Sequence, residues 1–309
     1  MKIVFLGTPD FAVKSLQALI GSLHEVIAVV TQPDKPVGRK GVPTPSPVKV
    51  FALEKGIKVL QFDKIRVQGV EELKKLAPDA MVTCAFGQIL SQEIIDIAPY
   101  GIINVHGSLL PKYRGAAPIQ YAVINGDKET GVTIMKTEAG IDSGDILAVK
   151  RTAVGENETA GELFDRLSEL GAEILVETLD RLEKGLVTPV KQDATKATYV
   201  KMIKKQDAKL DFTLSAKKIK CFVLGMNPWP VAFTGLNGKM LKIFKCDVVD
   251  YKAEGVCGQV VCAQPIKGLI VKCGDGYVNI TELQAEGGKR MSAHDFLLGR
   301  KVKEGDVLQ

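Results

Sequence analysis

What the chain lacks narrows its function first. No G-x-G-x-x-G follows the opening strand pattern, where the turn reads Phe5-Leu6-Gly7-Thr8-Pro9-Asp10, and no G-x-x-x-x-G-K-[ST] occurs anywhere. Without those glycines a pyrophosphate cannot approach the backbone closely, which disfavours dinucleotide redox chemistry and nucleotide hydrolysis. Histidine is scarce, with only His24, His106 and His294. The six cysteines (84, 221, 246, 257, 262 and 273) form no C-x-x-C and no Cys–His ligand spacing. A metal centre therefore has no evident ligand set, and reduced, mostly buried thiols are expected. No apolar run approaches the roughly 20 residues of a membrane helix. The first residues enter a strand pattern with no signal-peptide regions, so a cytoplasmic protein without membrane contact is expected.

What is present suits two globular domains: 309 residues, 46% hydrophobic and 25% charged. Strand-like runs at 2–6, 25–31, 80–85 and 101–105 alternate with helical patterns at 10–20, 47–55 and 70–77. That alternation predicts βαβ units and an α/β, Rossmann-like doubly wound parallel sheet. Thr159-Ala160-Gly161-Glu162 is a capping box opening an amphipathic helix to about Gly185. Residues 186–206 lose periodicity. After a helix capped by Ser215, Asn227-Pro228-Trp229-Pro230 introduces five short strands, with a type I′ hairpin at Asn237-Gly238. A small OB-like β-barrel is expected there. The expected division is a domain over 1–189, a linker over 190–206 and a second domain over 207–309.

Charge divides along the same line. Residues 190–309 hold 20 Lys/Arg against 12 Asp/Glu, whereas residues 1–189 hold 21 against 24. A basic domain joined to a mildly acidic one suits a polyanion partner; the alternative is a solubility surface. The long loop at 32–49 carries five prolines and the cations Lys35, Arg39, Lys40 and Lys49. It reads equally as a phosphate-gripping arm or a solvated loop.

The stretch Asn104-Val105-His106-Gly107-Ser108-Leu109-Leu110-Pro111 carries the chemistry. Side chains alternate along a strand, so Asn104 and His106 share a face at its carboxyl end, where open α/β sheets build sites. Farther on, Gly140-Ile141-Asp142-Ser143-Gly144-Asp145 places two carboxylates in a turn, and residue type does not choose between Asp142 and Asp145. An amide, an imidazole and a carboxylate can bind an oxyanion and move protons without metal, so the set points to acyl transfer.

These segments resemble the methionyl-tRNA formyltransferases over essentially the whole chain. The resemblance rests on Phe5 to Ala12, Gln32-Pro33-Asp34, Pro45-Ser46-Pro47-Val48-Lys49, and Asn104 to Pro111 with Tyr113 to Gln120. Thr130 to Met135, Gly140 to Asp145 and Asn227-Pro228-Trp229-Pro230 extend it. It implies that Asn104, His106 and Asp142 are catalytic and that Ser108, Leu109, Leu110 and Pro111 contact 10-formyltetrahydrofolate. It implies too that Arg39 and Lys40 meet initiator methionyl-tRNA, with residues 1–189 the catalytic domain and 207–309 a tRNA-binding one. A monomer is expected. This chain departs from the family in the loop, where only Lys40 lies between the Gly38-Arg39 pair and Gly41-Val42-Pro43. The rival readings are the same transfer onto a sugar-nucleotide amine and a non-catalytic RNA-binding protein on the same scaffold.

Overall fold

A computed structural model describes residues 1–37, 41–299 and 302–309. The chain divides into two compact units. The first comprises Met1–Pro118, Thr130–Ala153 and Phe164–Val200, and the second Ile119–Glu129, Val154–Leu163 and Lys201–Gln309.

In the first unit the strands are β1 (Lys2–Gly7), β2 (Glu25–Thr31), β3 (Lys35–Val37), β4 (Val42–Thr44), β5 (Val59–Gln61), β6 (Ala80–Cys84) and β7 (Ile102–His106). β8 (Arg114–Gly115), β9 (Glu129–Lys136), β10 (Ile146–Ala153) and β11 (Tyr199–Val200) follow. The main sheet runs in the order β5-β2-β1-β6-β7-β9-β10. Its first five strands are parallel. Consecutive residues Ile3, Val4, Phe5 and Leu6 are fully buried, as a parallel strand covered on both faces requires. On one face Val4, Leu6, Val30 and Met81 pack with Ile65, Leu73 and Ile94 from the helical segments. Phe11, on the helix Asp10–Ile20, meets Phe164 with ring centroids 5.0 Å apart.

The sheet is mixed rather than wholly parallel, because β9 runs antiparallel to β7. Hydrophobic alternation encodes which side chains are buried and not which way a strand runs, so the reversal leaves no trace in the pattern. The local signals hold. Ser46 and Ser215 cap the helices Pro47–Glu54 and Ala216–Gly225, each accepting from a backbone N–H three residues on. Thr159 and Glu162 form the reciprocal box at the start of the helix Ala160–Glu183.

In the second unit, β12 (Ala232–Leu236), β13 (Lys239–Val249), β14 (Val260–Gln264), β15 (Gly268–Lys272), β16 (Tyr277–Ala285) and β17 (Met291–Ser292) form an antiparallel sheet. Its order is β12-β13-β16-β15-β14, with β17 beside β16. Leu236 pairs with Lys239 across Asn237 and Gly238, both at positive φ (50° and 76°), as a two-residue I′ hairpin demands. Asn227 is buried and donates from Nδ2 to the Phe244 carbonyl at 2.9 Å. No described helix is long and apolar enough to cross a membrane.

Candidate active site

The site forms where β7 lies between β6 and β9. Register places Thr83 beside Asn104 and Thr133 beside His106. The Thr83 hydroxyl donates to Asn104 Oδ1 at 2.9 Å. An amide whose oxygen is engaged presents its other end, Nδ2, which only donates. His106 is buried, with Nε2 3.0 Å from the Tyr113 carbonyl. A carbonyl can only accept, so Nε2 carries the hydrogen and Nδ1 is the nitrogen left for chemistry. That nitrogen lies 3.6 Å from Asp142 Oδ2. Of the two turn carboxylates, Asp142 is the one brought to the imidazole; Asp145 offers its carbonyl to Lys136 N–H at 2.9 Å.

Asp142 is held from several directions. Its backbone is left-handed at φ 46°, and its Oδ2 accepts from Gly115 N–H at 2.8 Å. Gly115 in turn sits at φ 110° in β8, against β11. The Gln192 side chain donates to the carbonyls of Asp142 (2.9 Å) and Gly144 (2.7 Å) and accepts from buried Arg114.

The expected donor-contacting residues divide. Ser108 and Leu110 are buried, and the loop spends their polar groups on itself: Ser108 Oγ donates to the Lys112 carbonyl at 2.6 Å. Thr133 Oγ1 donates to the Ser108 carbonyl at 2.7 Å and accepts from Leu110 N–H. Leu109 and Pro111 are partly exposed. Arg39 and Lys40 lie outside the described residues. Around them, β3 pairs with β4, and the base of this hairpin is tied down. Lys49 Nζ reaches Asp34 at 2.7 Å and Gln61 at 2.9 Å, so this cation is engaged within the protein and not presented to a ligand. Lys49 and Gln61 hold the Asp34 carboxyl below its usual range.

Thr83, Thr133, Arg114, Gly115 and Gln192 were not singled out by sequence pattern as site residues. Thr83 left one signal, a hydroxyl in the otherwise apolar strand Ala80-Met81-Val82-Thr83-Cys84. Gln192, fifty positions from Asp142, left none. All six cysteines are free thiols, and burial pushes Cys84 up to about 12, which keeps it protonated and unreactive. Among the described residues, no group of three or more His, Cys, Asp and Glu could hold a metal.

Burial holds His106 below its ordinary pKa, against the opposing pull of the Asp142 carboxylate and the Tyr113 carbonyl. The unfolded chain takes up this proton near pH 6.5 and the folded one only at lower pH, so below about 6.5 stability is lost as pH falls. His24 is shifted the same way, chiefly by burial. The midpoint of thermal unfolding is therefore expected to drop between pH 7 and 5, ahead of carboxylate titration. His106→Asn should flatten that decline in part. An unaltered pH slope in the variant would refute the assignment.

The formyl transferase family matches residues 1–179, and the formyl transferase C-terminal domain family matches residues 202–301. Methionyl-tRNA formyltransferase of Lachnospira eligens is 50% identical over 100% of this chain and 99% of its own length. That of Citrifermentans bemidjiense is 48% identical over 100% of this chain and 96% of its own. The fold is shared with an N-formyltransferase of Helicobacter canadensis solved with folinic acid and dTDP-3-aminofucose. The TM-score is 0.67 at 19% identity, over 94% of this chain and 100% of that one. HypX of Aquifex aeolicus with tetrahydrofolic acid matches with a TM-score of 0.63 at 17% identity, over 98% of this chain and 48% of that one.

Proposed function

The chain belongs to the methionyl-tRNA formyltransferase family, and on that premise we propose that it moves a formyl group from 10-formyltetrahydrofolate to the α-amine of initiator methionyl-tRNA. The observation that carries the reading is the meeting of Asn104, His106 and Asp142 at the end of β7. The neutral amine attacks the formyl carbon, and negative charge gathers on the formyl oxygen. Asn104 Nδ2 donates to that oxygen, and His106 Nδ1 donates once protonated. Preorganised donors at a developing oxyanion are usually the largest electrostatic contribution. Asp142, facing Nδ1, steadies the imidazolium and passes the proton leaving the amine towards the departing folate nitrogen. Leu109 and Pro111 face the folate donor, and Ser108 and Leu110 shape the loop from within. The product serves translation initiation, and the protein acts as a cytoplasmic monomer.

The C-terminal antiparallel unit is OB-like on this reading and binds the tRNA flank, and Arg39 and Lys40 contact the acceptor arm. Each phosphate contact lowers log affinity by roughly 0.7–0.9 per log unit of salt. Arg39→Ala is therefore expected to weaken tRNA binding and to flatten the salt slope by about one such contact, with folate affinity unchanged. Titrations of tRNA and of a folate analogue at two salt concentrations check this. A loss confined to folate affinity would refute the assignment of the loop. The reaction itself is tested with purified protein, 10-formyltetrahydrofolate and charged initiator tRNA, beside charged elongator tRNA and an amino-sugar nucleotide. Formylation of the amino sugar and not the tRNA would overturn the proposal.

A further inference from the structure

Gln192 lies in the stretch that lost all periodicity in the sequence, yet its side chain makes four hydrogen bonds around the Asp142 turn. Two residues before it, Val190 and Ile146 exchange both backbone hydrogen bonds, at 2.8 and 2.9 Å, which anchors the segment beside the turn. The Gln192 amide nitrogen donates to the Asp142 carbonyl at 2.9 Å and the Gly144 carbonyl at 2.7 Å, one on each side of Ser143. Its oxygen accepts from Arg114 Nε (3.1 Å) and Nη2 (2.7 Å). Arg114 is buried, and its Nη1 also donates to the Tyr199 hydroxyl at 3.2 Å.

We propose that Gln192 is a positioning residue that sets the Asp142 carboxylate against His106 by holding the left-handed turn through its amide nitrogen while the Arg114 guanidinium fixes its amide oxygen. This rests on the reading of Asp142 as the catalytic carboxylate. The physical case has three parts. Asp142 holds a left-handed backbone conformation, uncommon for L side chains though more open to Asp than to most, and the flanking carbonyls need partners to fix it. Gln192 supplies two N–H groups to carbonyls that flank that conformation, which neither water in bulk nor a carboxylate could do with the same geometry. The buried guanidinium polarises the amide through its oxygen, so the two N–H donors bond more strongly than an isolated amide would. Arg114 and Gly115 are adjacent in β8, so the Asp142 carbonyl, through Gln192, and the Asp142 carboxylate, through Gly115 N–H, are fixed to one short segment. Carboxylate and main chain are thereby set together.

Gln192→Glu tests this directly. A carboxylate keeps, and strengthens, the contact to Arg114, but turns an oxygen towards two carbonyls and releases the turn. The expected result is a kcat lowered about 10- to 100-fold, since small misplacements carry costs of that size. KM for tRNA and for the folate donor stays within twofold, and the acid limb of the kcat profile moves to lower pH as His106 loses the carboxylate facing it. Gln192→Met, of similar length and without polar atoms, is the second variant should the first fail to fold, and the same kcat loss is expected. Asp142→Asn is measured in parallel. If Asp142→Asn is inactive while either folded Gln192 variant keeps wild-type kcat and pH profile, the positioning role is overturned and the Asp142 assignment stands. If Asp142→Asn retains activity, both fall. Loss of thermal stability with an unchanged kcat per folded molecule would likewise overturn it, as a scaffold role alone.

Discussion

Asn104→Ala, His106→Ala and Asp142→Asn are each expected to lower kcat by about 100- to 1000-fold, equivalent to about 3–4 kcal/mol of lost transition-state stabilisation. Each is expected to do so with KM little changed. Asn104 Nδ2 is aimed because Thr83 occupies the other end of the amide, so the alanine variant removes a donor already oriented at no further cost. Asp142→Asn is the sharpest of the three. Its carbonyl oxygen can still accept from Gly115 N–H, so the turn survives while the charge facing Nδ1 is gone. Steady-state kinetics on folded variants, checked by thermal unfolding, decide the matter. A near-normal kcat for Asp142→Asn would remove that residue from the mechanism and make Asp145 the carboxylate to test.

Gly115→Ala should be strongly damaging although it deletes no functional group. At φ 110° a side chain is strained by roughly 1–3 kcal/mol. An added Cβ would also run into the Val200 carbonyl, which is backbone and has no rotamer to yield. Relief requires β8 to part from β11, at the expense of Arg114 N–H to Thr198 (2.8 Å), Ala116 N–H to Val200 (3.2 Å) and the Gly115 donation to Asp142. A hydrogen bond to a charged group contributes about 1.5–3 kcal/mol. The expected outcome is a melting temperature lower by roughly 5–10 °C together with a kcat loss of at least tenfold. A variant that melts and turns over like the parent would show that the β8–β11 contact does not govern the turn.

Much of the frame was legible because local chemistry left marks. Ser215 and the Thr159–Glu162 pair announced helix starts, and Asn237-Gly238 announced its hairpin. Asn104 and His106 were legible because period-two alternation places them on one face whatever lies beside the strand. The direction of β9 was not, since it depends on how the chain returns and not on which residues are buried. Arg114 and Gln192 were hidden for a related reason. Their significance lies in a contact across 78 positions, and neither sits in a periodic segment. The short helix Ala293–Leu298 is a smaller omission: Ser292 accepts from Asp295 N–H there, a cap that ordinary reading passes over in so brief a run.

The pairing of Thr83 with Asn104 and of His106 with Thr133 makes this site depend on counting as well as on composition. One residue inserted into Ile102–His106 ahead of Asn104 would shift the register by one, and a one-residue slip turns every side chain to the opposite face. The amide would leave the Thr83 hydroxyl and the imidazole would leave Asp142, with every residue type still present. Substitution and length change are thus unequal risks for this gene. A frame-preserving insertion in β7 is expected to be silenced outright, whereas the same insertion near Gly185, at a helix end with open space around it, passes without effect on turnover.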